Sequence, residues 1–340
     1  MTAPVLLTHP SSLDHDTGQH PERAERLRAI ERELTARGGL GWERRESPAA
    51  AREALLAVHP ASHLDALAAL AADGGGAIDA DTVVSAGSWT AALHAAGGAV
   101  AVVDLLLGAD APRAAASAHR PPGHHCETDR PMGFCLLGNV AIAARHAVRT
   151  HGLERVLVVD WDVHHGNGTQ EVLWSDPSVV FASIHQSPLY PGTGSIREVG
   201  GGDAVGATVN LPVPAGSGDE TFVSLVEHVI VPLARTFAPQ LILISAGFDA
   251  HADDPLASCA VSDAGFAAMA ASLRAVAEEL GAPVGMVLEG GYDVHALARS
   301  FADVLAVLGA DEAPQAPRLA DHALAVAARA RLAEHWPTLG

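Results

Sequence analysis

The sequence predicts an α/β protein with a central, mostly parallel β-sheet flanked by α-helices on both faces. Three observations carry that prediction. First, the apolar runs Val156 to Val159, Val179 to Ile184, Leu241 to Ile244 and Val284 to Leu288 are nearly continuous, as strands covered on both faces must be. Second, Ala- and Leu-rich helical stretches accompany them: Pro21 to Ala36, Trp89 to Leu107, Gly138 to His151, Asp219 to Phe237 and Asp263 to Leu280, the last with a start signal at Ser262 or Asp263. Third, each strand runs out into a polar loop, and strand alternating with helix along the length is the α/β pattern. No repeat or long linker interrupts it. Residues 1–340 therefore read as a single domain, ending over residues 311–340 in a helical extension that serves as a surface helix or an oligomer contact.

Composition narrows the classes. With 49% hydrophobic and 18% charged residues the chain can bury a substantial core. A net charge of −19 argues against a nucleic-acid partner and favours a cationic substrate. All 21 basic residues are arginine, which excludes a phosphate-binding P-loop lysine and any Schiff-base lysine. Cys126, Cys135 and Cys259 form no paired framework. The first ten residues lack a basic region ahead of an apolar one, and apolar runs elsewhere are short and interrupted. The expectation is a soluble, cytoplasmic protein with no membrane span.

In such sheets ligands bind beyond the carboxyl ends of the strands, and the chemistry-bearing residues stand there. In Asp160-Trp161-Asp162-Val163-His164-His165, strand alternation puts Asp160, Asp162 and His164 on one side. Two carboxylates and an imidazole converging there repel or desolvate one another unless a cation sits among them. Asp249, at the end of another apolar strand, supplies a third ligand. Asp162, His164 and Asp249 then make a mixed N/O set with one position left for water, as in a catalytic zinc site. For any one of these residues, in a chain with 19 histidines, the bland alternative is a solvated loop.

His124-His125 follows Pro121-Pro122-Gly123, a rigid approach. Beside a metal, one imidazole of the pair can take a proton from water and return it to a leaving amine, with Asp160 and Asn167 as orienting partners. The only two tyrosines, Tyr190 and Tyr292, both lie in Pro/Gly loops. Tyr292, after Gly290-Gly291, sits on backbone free to swing its phenol towards an oxyanion.

Together, Arg120-Pro-Pro-Gly-His-His125, Gly133-Phe-Cys135, Asp160-Trp-Asp-Val-His-His-Gly-Asn167, Pro191-Gly-Thr-Gly194, Ser245-Ala-Gly-Phe-Asp249 and Leu288-Glu-Gly-Gly-Tyr292 resemble the histone deacetylase superfamily. The match runs from about His15 to Tyr292. Asn167, where class I eukaryotic enzymes carry Asp, is similar to class II enzymes and bacterial histone-deacetylase-like amidohydrolases. The resemblance implies an arginase/deacetylase-type fold and zinc-dependent hydrolysis of an acylated amine, an acyl-lysine side chain foremost. It implies Asp162, His164 and Asp249 as zinc ligands, and His125 as general base and acid beside His124, which pairs with Asp160. It implies Tyr292 as the residue polarising the carbonyl. Gly133, Phe134 and Tyr190 match walls of a substrate tunnel. Asp160, Asp162, His164, Ser183 and Ile184 match a potassium site. Arg26 aligns loosely with an arginine of an internal acetate pocket, and Asp81 with a rim carboxylate. Leu256 stands where some polyamine deacetylases carry a glutamate gatekeeper, and Leu70 to Trp89 holds no clear counterpart of their dimerising loop. Three rivals share the fold or the chemistry: a two-metal arginase-like ureohydrolase, a catalytically dead acyl-lysine binder, and an acetylpolyamine or specialised-metabolite deacylase.

Overall fold

A computed structural model describes residues 2–312, 315–317 and 319–339. Ten strands form: β1 (Val5–Thr8), β2 (Glu43–Glu46), β3 (Gly75–Ala77), β4 (Val83–Ser85), β5 (Ala115–Ser117), β6 (Val156–Asp160), β7 (Val179–Gln186), β8 (Thr208–Val213), β9 (Leu241–Ala246) and β10 (Val284–Leu288). The helices are α1 (Glu25–Ala36), α2 (Arg52–Leu56), α3 (Ala61–Ala72), α4 (Ser88–Leu107), α5 (Asn139–His151), α6 (Asn167–Leu173), α7 (Asp219–Leu225), α8 (Val231–Phe237), α9 (Asp263–Leu280), α10 (Val294–Leu308) and α11 (Ala323–Leu332).

Eight strands build one parallel sheet in the order β2-β1-β5-β10-β9-β6-β7-β8. Every residue of β6, β7, β9 and β10 is buried, as their unbroken hydrophobicity predicts. Their side chains alternate between two apolar layers. Leu157, Val159, Ile242 and Ile244 join Ile30, Phe266, Leu273 and Phe301 of α1, α9 and α10 on one face. Val156, Val158, Leu241 and Leu243 join Val102, Val103, Val140 and Ile142 of α4 and α5 on the other. The exposed edge strand β2 reads Glu-Arg-Arg-Glu, a charged edge that discourages pairing with another chain.

Local signals set several boundaries. The Ser262 hydroxyl accepts the Gly265 N–H and caps α9, which ends at left-handed Gly281. The strands β1, β2, β5 and β8 and the helices α3 and α10 escape sequence reading: β1, β2 and β5 are short, Asn210 and Pro212 interrupt the apolar run of β8, and α3 has little polar contrast between its faces.

Two expectations change. Not every apolar run is short: α4 is a 20-residue helix long and apolar enough, by length and composition, to cross a membrane. Its Ala92, Ala96, Ala99, Val102, Val103 and Leu106 pack into the core layer on the sheet, which accounts for the apolarity. Between α3 and α4, where sequence reading placed no strand, Gly75–Ala77 and Val83–Ser85 form the antiparallel hairpin β3–β4.

Candidate active site

The strand order brings four carboxyl ends side by side. β5 leads to His119–His125, β10 to Glu289–Tyr292, β9 to Gly247–Asp249 and β6 to Trp161–His165, and these strands are neighbours in the order β5-β10-β9-β6. Segments far apart in sequence therefore meet at one edge.

The metal loop converges by a different route from strand alternation. β6 stops at Asp160, and two carboxylate turns follow. The Asp162 N–H donates to Asp160 Oδ1 (3.1 Å), and the His164 N–H donates to Asp162 Oδ1 (2.9 Å). Buried backbone donors just past a strand end need acceptors, and a short aspartate two residues back supplies each one. Asp249 Oδ1 accepts the Val163 N–H at 2.9 Å. Asp249 Oδ2 and Asp162 Oδ1 then lie 3.0 and 3.2 Å from His164 Nδ1. Gly290 donates its N–H to Asp162 Oδ2 at 2.9 Å, and a Cβ there would stand 2.2 Å from Asp249 Oδ2. Only glycine fits so close an approach.

These donors suit a divalent ion. One ligand atom from each of Asp162, His164 and Asp249 lies within 4.8 Å of the others. Burial, reinforced by the charge of Asp162, pushes Asp249 up to about 7. Burial alone would lower His164, but its hydrogen bonds to Asp162 and Asp249 carry it up to about 10. Buried together, one imidazole and two carboxylates form a candidate metal-binding triad whose donor set is consistent with zinc.

The two adjacent imidazoles have opposite surroundings. His124 Nδ1 donates to Asp160 Oδ2 at 3.0 Å, and its Nε2 lies 3.8 Å from Asp162 Oδ1. Burial opposes its charge, yet Asp162 and Asp160 outweigh burial and hold it well above the usual histidine range. His125 is pushed well below that range by burial, then by His124 and His164. Its Nδ1 pairs with Asn167 Oδ1 at 2.8 Å, while Asn167 Nδ2 donates to Glu127 Oε1 at 2.8 Å. A carboxylate only accepts, so Glu127 fixes the amide and Asn167 must offer its oxygen to His125. The proton therefore sits on His125 Nδ1, and Nε2 keeps its lone pair.

A cavity of about 210 Å³ opens over these groups, lined by Asp81, His125, Gly133, Phe134, His164, Leu189, Tyr190, Leu256 and Tyr292. The hairpin β3–β4 delivers Asp81 to its rim. Gly133 has φ +56°, and a Cβ there would stand 2.5 Å from the His125 ring. Phe134 follows with φ +69°, a left-handed backbone unusual for phenylalanine, held by its N–H to Thr82 Oγ1 at 3.2 Å. Tyr190 stands edge-on to His125 at 5.1 Å between ring centroids, and Phe134 edge-on to Tyr292 at 5.6 Å.

Tyr292 differs from its expected freedom. The Asp254 carboxylate accepts its N–H (2.6 Å) and that of Asp293 (3.2 Å). Arg26 donates to the carbonyls of Glu289 and Gly291, and its guanidinium carbon lies 5.0 Å from the centre of the phenol ring. The tyrosine is clamped because glycine mobility is removed by a buried acceptor on one side and a buried cation on the other. Arg26 itself does not line the cavity; Glu22 and the two carbonyls engage its guanidinium.

Asp160 and Ser183 are register partners across β6 and β7, with Ile184 next along β7. The Ser183 hydroxyl is engaged with His185 Nδ1 at 2.9 Å. Residues given no role by sequence reasoning include Glu289, whose Oε2 accepts the N–H groups of Gly123 and His124, and Asp254, Glu127 and the buried Glu22–Arg120 pair. Burial pushes Glu289 up to about 7. Its place inside Leu288-Glu-Gly-Gly-Tyr292 was the available signal; Asp254 and Glu127 gave none.

The parallel sheet flanked by helices, with an N/O/O cluster at the carboxyl ends of its strands, is that of the arginase/deacetylase fold class. The histone deacetylase domain matches residues 20–308, and the chain belongs to the histone deacetylase family. It is 40% identical over 328 residues to histone deacetylase 14, chloroplastic, of Arabidopsis thaliana, covering 91% of this chain and 78% of that one. It is 39% identical over 298 residues to a histone deacetylase-like amidohydrolase of Pseudomonas aeruginosa, covering 86% and 77%. A crystal structure of the HDA15 HD domain superposes with a TM-score of 0.90 at 33% identity, covering 99% of this chain and 96% of that one.

Proposed function

We propose that this chain is a zinc-dependent deacylase that hydrolyses an acylated amine, an acyl-lysine side chain foremost. The observation that carries the reading is His125, its Nδ1 paired with the Asn167 oxygen, lining one cavity with His164 of the Asp162/His164/Asp249 cluster. Asp162, His164 and Asp249 would hold the metal, which when bound supplies Lewis acidity to water and to the acyl carbonyl. His125 Nε2 accepts the proton of the attacking water, with Asn167 fixing the ring. The Tyr292 hydroxyl donates to the oxygen that gains charge as the carbonyl becomes tetrahedral. His124, held between Asp160 and Asp162, keeps positive charge against His125 and so favours return of the proton. His125 then protonates the departing amine as the C–N bond breaks, giving a carboxylate and an amine. Phe134, Tyr190 and Leu256 suit an alkyl chain, and Asp81 suits an amide N–H at the rim. Potassium beside Asp160 and Ser183 is part of the same proposal.

The acidic rim, with Asp79 next to Asp81, also favours a cationic acetylpolyamine, whereas Leu256 offers such a substrate no carboxylate. The test is a panel of acetyl-lysine peptides, longer acyl-lysines and acetylpolyamines with zinc-loaded protein. Acyl-lysine turnover that falls about 10²- to 10³-fold in Tyr292→Phe at unchanged zinc content is expected. Faster polyamine turnover would replace the substrate, and full activity in Tyr292→Phe would remove the phenol's role.

A further inference from the structure

Outside the residues that line the cavity, Asp104 near the C-terminal end of α4 meets His146 and His151 from the last turns of α5. One oxygen, Asp104 Oδ1, accepts from His146 Nε2 and from His151 Nε2, each at 2.7 Å. One ligand atom from each residue lies within 4.8 Å of the others, and the carboxylate is exposed while both rings are partly buried. We propose that Asp104, His146 and His151 bind a divalent transition-metal ion of the zinc type, at a peripheral site that fastens α4 to α5.

The donor set supports this class of ion. Two imidazole nitrogens and a carboxylate oxygen suit zinc, nickel or copper, whereas magnesium and calcium ask for more oxygen ligands. The surroundings of His146 also suit a ligand. Thr150 Oγ1 lies 3.1 Å from its Nδ1, and a hydroxyl can either donate or accept. Without the ion, Nε2–H donates to Asp104 and Nδ1 accepts from Thr150. With it, the Nε2 lone pair turns to the ion and Nδ1–H donates to Thr150, the outer hydrogen bond that orients metal-bound imidazoles. Bond lengths of about 2.0–2.2 Å require these side chains to open only slightly, on helices that share one apolar layer. The exposed side leaves room for a completing water.

A second cluster with similar donors shows what excludes a site. His59, His63 and Cys126 also come within 4.8 Å of one another. There His59 Nδ1 donates to Thr128 O and His59 Nε2 accepts the Gly138 N–H, while His63 Nε2 and the Cys126 thiol both donate to Leu136 O. Those groups are committed to backbone partners. Among the described residues, Asp104 and the facing nitrogens of His146 and His151 are hydrogen-bonded only to one another.

The test counts metal. After dialysis against micromolar ZnCl2 at neutral pH, the wild-type chain should hold two zinc ions. His146→Ala/His151→Ala should hold one and keep its deacylase turnover. Asp162→Ala/Asp249→Ala should also hold one, which separates this proposal from the catalytic zinc reading. Asp104→Asn, which keeps the shape of the carboxylate, should weaken the peripheral ion at least tenfold even where the histidine variant folds poorly. Copper added to Asp162→Ala/Asp249→Ala should give an electron paramagnetic resonance signal split by two nitrogens. A zinc count unaltered by His146→Ala/His151→Ala, or no ion retained by Asp162→Ala/Asp249→Ala, would overturn the proposal.

Discussion

At His125 the position of one proton is decided by a chain of three side chains, from Glu127 through Asn167 to the imidazole. Asparagine is informative here because its two ends differ: only the amide nitrogen can face a carboxylate, so only the oxygen can face His125. Asp254 acts on Tyr292 in a comparable way, through backbone rather than side chain. Asp254→Asn exchanges a charged acceptor for a neutral one beneath the Tyr292 and Asp293 N–H groups. Such bonds contribute about 1.5–3 kcal/mol, so kcat should fall roughly 10- to 100-fold with little change in KM or bound zinc. Steady-state kinetics with metal analysis checks this; an unchanged kcat would show that the phenol is placed without Asp254.

Among the elements, the predicted helix Asp219 to Phe237 forms with a wide π turn at Val226–Ile230 between α7 and α8. Pro232 has no N–H to give the His228 carbonyl, and Arg329 of α11 donates to that carbonyl instead, at 3.2 Å. The C-terminal helix is thereby tied to the body of the chain. It also buries Ala325, Ala328 and Leu332 in the core layer, and Arg331 donates to the Ile196 and Asn210 carbonyls. At α9, Ser262 caps the helix and its hydroxyl donates to Asp219 Oδ2 at 2.6 Å, joining the starts of α7 and α9. Ser262→Ala should lower unfolding stability by about 1–2 kcal/mol, read as a reduced denaturant midpoint with an unchanged slope. A midpoint equal to wild type would mean that the cap is dispensable.

For the whole molecule, acid is the expected weakness. Burial depresses His119 to about 3, with His94 and His9 adding to it; His119 hydrogen-bonds Ser47 and Ser117. Burial depresses His59 to about 4, with His63 opposing its charge and the Thr128 carbonyl favouring it. A depressed folded-state pKa means the unfolded chain takes up protons first. The stabilising contribution is complete above the unfolded value of 6.5 and is lost as pH falls towards 3 to 4. At pH 5 each imidazole should remove about 2 kcal/mol. Glu22 extends the loss. Although burial raises it, Arg120, His15 and Arg26 hold it at about 2, so its contribution fades from its unfolded value of 4.5 downwards. Asp249 and Glu289, raised to about 7 in the folded chain, act in the opposite sense over this range. The imidazole effect is therefore read as a difference in denaturant titrations: between pH 7 and 4, His119→Gln should lose less stability than wild type. Equal losses in His119→Gln and wild type would contradict neutral burial of His119.

The sequence by itself determined the α/β class, the four central strands and the residue types at their carboxyl ends, because strand burial and donor chemistry are local properties of short segments. It also exposed the Asp162/His164/Asp249 set and the His124-His125 pair, although alternation misjudged how the metal loop turns. Only the tertiary structure decided which loops adjoin, because the order β5-β10-β9-β6 is absent from chain order. The acceptors that fix His125 and Tyr292, the hairpin that brings Asp81 to the rim, and the meeting of α4 with α5 at Asp104 all depend on contacts between distant segments. Hydrogen-bond geometry and burial arise when those segments pack, and neither is encoded at any single position.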